Sequence, residues 1–258
     1  MKKTVLTGVA ALTLFDIAGA QPALADPAAS WDGKYAGVHV GLREGDADFR
    51  SSPFAISQGG NPATVPARTG AFDPGGIIGG VQGGINRLVG RNRLIGVEGD
   101  FSFGSHSDSL TASNSVVNGD GTSFIVQNAS LELGWQATLR GRVGVTQGPW
   151  LFFATGGIAF LDSEWRDTYT GTPGTPSPVT PVPASASNRD SEILVGWVAG
   201  GGIARQWRGN KSVRVDFLYE DFGDRNVPSG TGQTSRLDIS AFKVRFGLNF
   251  KLGPGRAN

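Results

Sequence analysis

The stretch ASLELGWQATLRGRVGV, residues 129–145, alternates between two kinds of side chain. Its odd positions are apolar or small: Ala129, Leu131, Leu133, Trp135, Ala137, Leu139, Gly141, Val143 and Val145. Its even positions are polar or small: Ser130, Glu132, Gly134, Gln136, Thr138, Arg140, Arg142 and Gly144. A period of two residues indicates a β-strand with one apolar and one polar face. The fold depends on which of these faces meets water.

Seven further stretches complete a set of eight predicted strands. Clear alternation occurs in 94–103, 213–221 and 242–252. Weaker, glycine-rich candidates are 34–43, 75–88, 150–165 and 191–207. No comparable period of 3.6 residues competes with this pattern, so we expect an all-β chain.

The connections between these strands alternate in length. The short ones, 89–93, 146–149 and 208–211, have the size of hairpin turns. The long ones, rich in Gly, Pro, Ser, Thr and Asn, are about 44–72, 104–128, 166–190 and 222–235. The third is so rich in Pro and Thr that we expect no regular structure there. Short turns at one end and long loops at the other predict an eight-stranded antiparallel up-and-down transmembrane β-barrel.

A secreted soluble barrel or sandwich is the alternative, because it shows the same alternation turned inside out. The long, clean apolar faces favour the membrane, since a tilted strand needs about ten residues to cross hydrocarbon. Trp31, Trp150 and Trp207 stand at strand ends beside the short turns, where interfacial aromatics are expected. The apolar face is therefore predicted to contact lipid and the polar face to line a narrow lumen.

The N-terminus predicts export. Lys2 and Lys3 precede an apolar run at 4–15, and Ala23-Leu24-Ala25 supplies a cleavage site, which together indicate a signal peptide over 1–25. The expected mature domain is a barrel over 26–258, with strands from about 31 to 252 and a short tail at 253–258. The predicted location is the outer membrane of a Gram-negative cell.

Composition excludes several classes of site. The chain has no cysteine, which rules out disulfides, thiolate metal sites and a lipoprotein anchor. Its net charge of +1 gives no sign of a nucleic-acid partner. The glycine-rich segment 75–84 lacks the Lys-Ser/Thr of a phosphate loop, and His39 and His106 are too few for a convincing metal site. No catalytic residue, cofactor or metal site is predicted.

Charged side chains on the polar faces form a balanced set that we expect inside the barrel. The acids are Glu98, Asp100, Glu132, Asp216 and Glu220, and the bases are Arg140, Arg142, Arg214, Lys243 and Arg245. The interior of an eight-stranded barrel holds little more than its own side chains, so buried ions there must pair. Glu98, Arg140, Asp216 and Arg245 lie at similar distances from the short turns, which predicts one charge layer across the barrel. The alternative is that some of them are hydrated.

The strands as a set resemble a known family. The segments that carry the resemblance are WDGKYAGVHVG (31–41), GIIGGVQGGIN (76–86), IGVEGDFSF (95–103), LRGRVGV (139–145), ATGGIAF (154–160), GWVAGGGIARQW (196–207), VRVDFLYEDFG (213–223) and VRFGLNFKL (244–252). They are similar to the porin-like, opacity-type outer-membrane β-barrel proteins of alphaproteobacteria, a branch related to the OmpA membrane anchor. The resemblance implies a surface-exposed eight-stranded barrel without catalytic residues. The family usually ends on an aromatic residue, whereas here NFKL (249–252) is followed by GPGRAN, so Phe250 is expected to serve the barrel assembly machinery instead.

Two functions follow from these expectations. The first is a structural, surface-exposed envelope barrel with an ion-paired lumen and long extracellular loops. The second is a small porin for passive diffusion of ions or small solutes. The expected partners are outer-membrane lipid and lipopolysaccharide, the barrel assembly machinery during insertion, and host or envelope molecules that contact the loops.

Overall fold

The computed structural model describes residues 31–58, 61–104, 106–118, 121–173, 185–228 and 234–253. The predicted signal peptide and the tail from residue 254 onward lie outside the described residues. The described chain forms twelve strands: β1 (Gly33–Ser51), β2 (Phe54–Gln58), β3 (Asn61–Val65), β4 (Thr69–Phe72), β5 (Gly76–Val89), β6 (Arg93–Phe103), β7 (His106–Asn118), β8 (Gly121–Gln147), β9 (Trp150–Pro173), β10 (Ser185–Gln206), β11 (Lys211–Pro228) and β12 (Thr234–Leu252). Within these residues no helix is long and apolar enough to span a bilayer.

Eight of these strands close into an antiparallel barrel, as predicted. The ring runs β1-β5-β6-β8-β9-β10-β11-β12, and β12 pairs with β1 to close it. The start of β1 and the end of β12 lie at the same end of the barrel as the short turns, where Lys34 pairs with Leu252. We call this the lower end. Gly90, Gly148 and Gly209 occupy the short turns with φ of 74°, 55° and 65°, a left-handed backbone that glycine adopts without steric cost.

Above this ring the barrel continues into what we call the extension. It consists of the upper parts of β1 and β8 to β12, with β4 paired to β1 and β7 paired to β8. Much of the predicted long loops is therefore strand. The expectation of no regular structure was wrong for 166–173 and 185–190, while 174–184 lie outside the described residues. The strands persist because their inward side chains bury a second apolar core.

The lower part of the barrel carries apolar side chains on its outside. These exposed residues, which we call the apolar belt, include Val38, Val40, Leu42, Ile77, Val81, Ile85, Ile95, Val97, Leu139, Val143, Ile158, Val195, Ile203, Val213, Phe217 and Phe246. Soluble proteins rarely expose a continuous apolar surface of this kind. An apolar band around a closed barrel is instead the surface that hydrocarbon contacts.

Above the belt the two faces exchange their character. In β1, outward Leu42 is followed by Glu44, Asp46 and Asp48, and inward Arg43 is followed by small and apolar residues. The inward apolar side chains form the extension core: Ala47, Phe49, Phe72, Ala129, Leu131, Leu133, Leu161, Trp165, Leu194, Val227, Leu237 and Ile239. The extension is thus built like a water-soluble barrel, with a greasy interior and a polar exterior.

A β-bulge produces the same inversion in β8. The register of β8 with β9 shifts between Leu133 and Gln136, which turns the strand over. Leu131 and Leu133 are 1% and 0% exposed inside the extension core, whereas Glu132 is exposed on the outside. The prediction that Glu132 lines the lumen was wrong, because apolar residues keep their odd positions through the bulge while the strand reverses its faces.

Cysteine labelling tests this reversal, and the chain has no native cysteine to interfere. We expect a hydrophilic maleimide to label Glu132→Cys rapidly in the folded barrel and to leave the adjacent Leu133→Cys unlabelled, because only Glu132 faces water. Both variants should label fully after denaturation. Rapid labelling of Leu133→Cys in the folded barrel, with Glu132→Cys protected, would show that the bulge is absent.

Candidate functional site

Inside the belt lies a set of buried polar side chains that we call the polar layer. Its charged members are Arg43, Glu98, Asp100, Arg140, Arg142, Arg214, Asp216, Glu220, Lys243 and Arg245. The barrel therefore brings together nine of the ten charged residues that the sequence placed in the lumen. Glu132 is the exception, and Arg43 is an addition.

Glu98 is the centre of this layer. Its carboxylate accepts a hydrogen bond from Arg140 Nη2 at 2.6 Å, from both terminal nitrogens of Arg214 (Nη2 at 2.9 Å), and from the hydroxyl of Tyr35. Arg142 Nη1 lies 3.7 Å from the same carboxylate. A carboxylate with this many donors is held as a structural counter-ion and has no free lone pair positioned for use as a general base.

Two aspartates extend the network across the lumen. Asp100 lies 2.6 Å from Arg140 Nη2 and 3.0 Å from Arg245 Nη1. Arg245 also reaches Asp216, with Nη2 at 3.1 Å from Oδ2. The four residues predicted to share one height are thus joined through ion pairs. Because Glu98, Asp100 and Asp216 each contact at least two guanidinium groups, no single pair carries this network.

Inward-facing glycines leave space for this network. A Cβ at Gly84 would lie 2.7 Å from the Tyr35 hydroxyl, and one at Gly202 would lie 3.0 Å from Asp216 Oδ1. Glycine at these inward positions therefore leaves the volume that the large charged side chains occupy.

A smaller cluster lies at the upper edge of the polar layer. Lys243 Nζ lies 2.8 Å from Glu220 Oε1 and also donates to Gln136, whose amide donates to Glu220. Lys243 and Glu220 are 1% and 0% exposed at their side chains, so this ion pair is fully removed from water. A buried pair is stable only when its other polar atoms are also satisfied, and Gln136 supplies that contact.

Apolar clusters close the polar layer at both ends. Below it, Trp31, Leu94, Leu151, Phe153 and Ala204 pack together as the lower cluster. At its upper edge, Val198 stands opposite Glu220 and Leu218 opposite Lys243, and both pack with Ala159 against Phe222, which also contacts the extension core above. Trp31 is only 8% exposed, so its prediction as an interfacial aromatic was wrong: the chain enters the barrel end before β1 and carries the indole inward.

Aromatic side chains lie on the outside of the barrel near its lower end and at the upper edge of the belt. Trp207 is exposed and Trp150 half-buried near the lower end, and their membrane-interface role stays a prediction. At the upper edge of the belt, Phe101 stacks on Trp135 with ring centroids 5.4 Å apart, and Trp197 lies 5.5 Å from Tyr219. This upper group was not predicted, although the sequence shows its alternation with polar residues.

The polar layer holds more bases than acids. Among the described residues, its four buried carboxylates (Glu98, Asp100, Asp216, Glu220) face six buried bases (Arg43, Arg140, Arg142, Arg214, Lys243, Arg245). The polar faces predicted equal numbers of acids and bases, because Glu132 was counted among them and Arg43 was not. Arg43 was detectable, since His39, Gly41 and Arg43 alternate with outward Val38, Val40 and Leu42.

The outer wall of the extension carries a row of acids on three neighbouring strands. Asp238 in β12 pairs directly with Asp48 in β1 and with Asp224 in β11. Like charges opposite each other across strands repel. Partial burial, together with repulsion from Asp224 and Asp48, raises the pKa of Asp238 above its ordinary value of 3.8. Burial and neighbouring acids raise the pKa of Asp46 in the same way.

Among the residues that the structure describes, no group of three or more His, Cys, Asp and Glu side chains is placed to hold a metal ion.

No protein-family model matches the chain. The 31 kDa outer-membrane immunogenic protein of Brucella melitensis biotype 1 is 27% identical over 264 residues, covering 97% of this chain and 100% of that protein. The 22 kDa outer membrane protein of Rhizobium leguminosarum bv. viciae is 25% identical over 232 residues, covering 90% and 83%.

Solved outer-membrane structures are also similar. The outer membrane protease OmpT of Escherichia coli has a TM-score of 0.45 at 9% identity, covering 86% of this chain and 97% of that one. OprG of Pseudomonas aeruginosa has a TM-score of 0.42 at 12% identity, covering 85% and 97%.

The full-length likeness to named outer-membrane proteins agrees with the closed ring and its apolar belt. The protein is an outer-membrane β-barrel. In such barrels the short turns face the periplasm and the longer connections face the outside of the cell. The extension and its acidic row therefore belong to the outer surface of the cell.

A double-mutant cycle measures the coupling within the polar layer. We expect Glu98→Gln to destabilise the outer-membrane barrel by about 3–5 kcal/mol, because it leaves Arg140 and Arg214 without their shared acid. Arg140→Met should cost less, because Glu98 keeps Arg214. The double variant should cost clearly less than the two single costs together, as measured by reversible unfolding in lipid vesicles. Additive costs would show that Glu98 and Arg140 are separately hydrated.

The acidic row predicts a pH dependence of the opposite sign to that of a paired carboxylate. Because the pKa of Asp238 is raised on folding, protonation favours the folded state, and this stability is lost as the pH rises from 3.8 through the raised value. Asp238→Asn should therefore raise the thermal midpoint at neutral pH and leave it nearly unchanged in acid. Thr111→Val, an exposed change on β7 away from the row, is a control that should show no such pH dependence. A lower midpoint for Asp238→Asn at neutral pH would contradict the inferred repulsion.

Proposed function

We propose that this barrel is a non-conducting, non-enzymatic envelope protein that presents a rigid extension at the cell surface. The observation that carries the proposal is the closure of the ion-paired polar layer by apolar clusters below and above. We further propose that it belongs with the porin-like, opacity-type barrels that its strands resemble, although the name porin does not describe how its lumen is built.

A filled lumen opposes passive diffusion. An ion that entered from below would have to displace the lower cluster, and one that entered from above would have to displace the extension core. Between them, Glu98, Asp100 and Asp216 are each bound by two or more guanidinium groups. Breaking one buried pair costs several kcal/mol, so an open path requires several costly changes at once.

The extension is the part of the molecule suited to recognition. Its backbone is held in continuous strands, and its core includes Phe49 stacked on Trp165 with ring centroids 5.2 Å apart. A rigid wall loses little entropy when a partner binds it. The Brucella relatives are named immunogenic, which supports a role for the corresponding surface in meeting molecules outside the cell. Lipopolysaccharide around the belt, the barrel assembly machinery and host or envelope partners at the extension are proposed contacts.

Planar-bilayer recording separates this proposal from a small porin. We expect the purified full-length mature chain to give no steady single-channel current, because apolar side chains close both ends of the lumen. A general porin purified in the same detergent is the positive control for insertion and recording. Regular, long-lived current steps that scale with the amount of this protein would overturn the proposal.

Recording should be accompanied by evidence that the barrel has inserted. Glu132→Cys, labelled with a fluorescent maleimide before insertion, reports the number of barrels in the bilayer. A fluorescent bilayer without current supports closure, whereas current in proportion to fluorescence supports the porin.

A further inference from the structure

Arg43 is a buried base whose charge has too few partners. It points into the barrel from β1 and is 4% exposed. Its Nε and Nη2 atoms have no hydrogen-bond partner among the described residues. Arg140, Arg142 and Arg245 also have two guanidinium nitrogens without a hydrogen-bond partner, but each of these arginines lies within 4.0 Å of a carboxylate. Among the described residues no carboxylate lies that close to Arg43, so its buried charge calls for a physical explanation.

The surroundings of Arg43 add positive charge. In the register of β1 and β12, Arg43 stands directly opposite Lys243. The carboxylate that attracts Arg43 is Glu220, which is already bound by Lys243 at 2.8 Å. Two bases therefore share one acid at the upper edge of the polar layer. Arg142 is the other base in excess, but it has Glu98 at 3.7 Å and the ring of Phe153 at 3.6 Å.

The two free atoms of Arg43 lie on the edge of the guanidinium group that binds oxyanions in pairs. Arg214 shows this use within the same lumen, since its Nε and Nη2 hold the two oxygens of Asp216 at 2.8 and 2.6 Å. The fork has the geometry of a carboxylate or a phosphate and fits a spherical halide less well. Arg43 therefore offers a bidentate oxyanion contact that no side chain of the described chain fills.

We propose that Arg43, with Lys243 beside it, forms a binding site for a small oxyanion, inorganic phosphate or a carboxylate, inside the barrel. The anion neutralises the excess charge at the upper edge of the polar layer and binds the free Nε–Nη2 edge after a small side-chain shift. Because apolar clusters close the lumen, the anion enters as the barrel folds and stays as a structural component.

Refolding in different anions tests the site with the full mature chain. Wild type, Arg43→Met and Arg43→Lys are refolded from urea into detergent in sodium phosphate or sodium chloride of equal ionic strength and pH. We expect phosphate to raise the Tm of the wild type by about 4 °C over chloride, the shift from a ligand at about ten times its Kd. Arg43→Met should show no such difference and should be more stable than wild type in chloride, because the unpaired charge is gone.

Two control variants, Arg87→Met and Arg43→Lys, make the result specific. Arg87→Met, which removes an exposed arginine on β5, should keep the full phosphate effect. Arg43→Lys keeps the charge but lacks the fork, so it should lose most of the preference for phosphate. Acetate in place of phosphate distinguishes a general oxyanion site from a phosphate site.

Equal Tm values of the wild type in phosphate and chloride would overturn the proposal, as would a phosphate effect that survives in Arg43→Met. If Arg43→Met does not refold, the wild type, Arg43→Lys and Arg87→Met still decide. A phosphate preference that is lost in Arg43→Lys and kept in Arg87→Met supports the site, and any other pattern excludes it. Neither result depends on whether the barrel conducts, so the proposed function is tested separately.

Discussion

The structure depends on the exclusion of water from the lumen of a barrel whose outside must be apolar. With hydrocarbon on one face, the alternation of a strand puts polar side chains on the other, and eight strands leave space for little besides those side chains. Charges placed there have to satisfy one another. Glu98, Asp100 and Asp216 do so by each sharing guanidinium groups, which spreads the charge over a network and leaves no isolated pair.

Above the membrane the outside of the barrel faces water and its inside is apolar. The chain reverses the character of its two faces there in two ways. In β1 the residue types exchange faces without any change in backbone, so that Arg43 gives way to Ala47 and Phe49. In β8 the residue pattern continues and the backbone changes, through the register shift at Leu133/Gln136, and β11 has a second register shift at Asp221/Gly223. Gly223, with φ of 65°, adopts the left-handed conformation that such a bulge favours. Both routes produce one continuous extension core.

These two routes explain what could be predicted from the sequence. The eight strands, their order and the facing of Glu98, Arg140, Asp216 and Arg245 follow from period-two alternation, which is a local property. Glu132 could not be placed, because a bulge reverses a strand without altering the alternation that reveals it. Trp31 was misplaced since its position before β1 does not show whether the chain turns inward. The long strands of the extension were mistaken for loops because Thr, Ser and Asn suit both exposed strands and loops.

The cluster of Gln136, Glu220 and Lys243 at the upper edge of the polar layer fixes the height at which the inward and outward faces of the barrel exchange their character. Gln136 is the first paired residue after the bulge of β8, and Glu220 lies one residue before Asp221, the last residue paired ahead of the shift in β11. Both are bound to Lys243, which stands opposite Arg43 in β1 at the point where Leu42 gives way to Glu44. A slip of one residue in β8 would remove Gln136 from this cluster and expose Leu133 to water at the same time. The hydrogen bonds of the lumen and the apolar core of the extension therefore specify the same register, which explains why two oppositely built halves can share six continuous strands, β1 and β8 to β12.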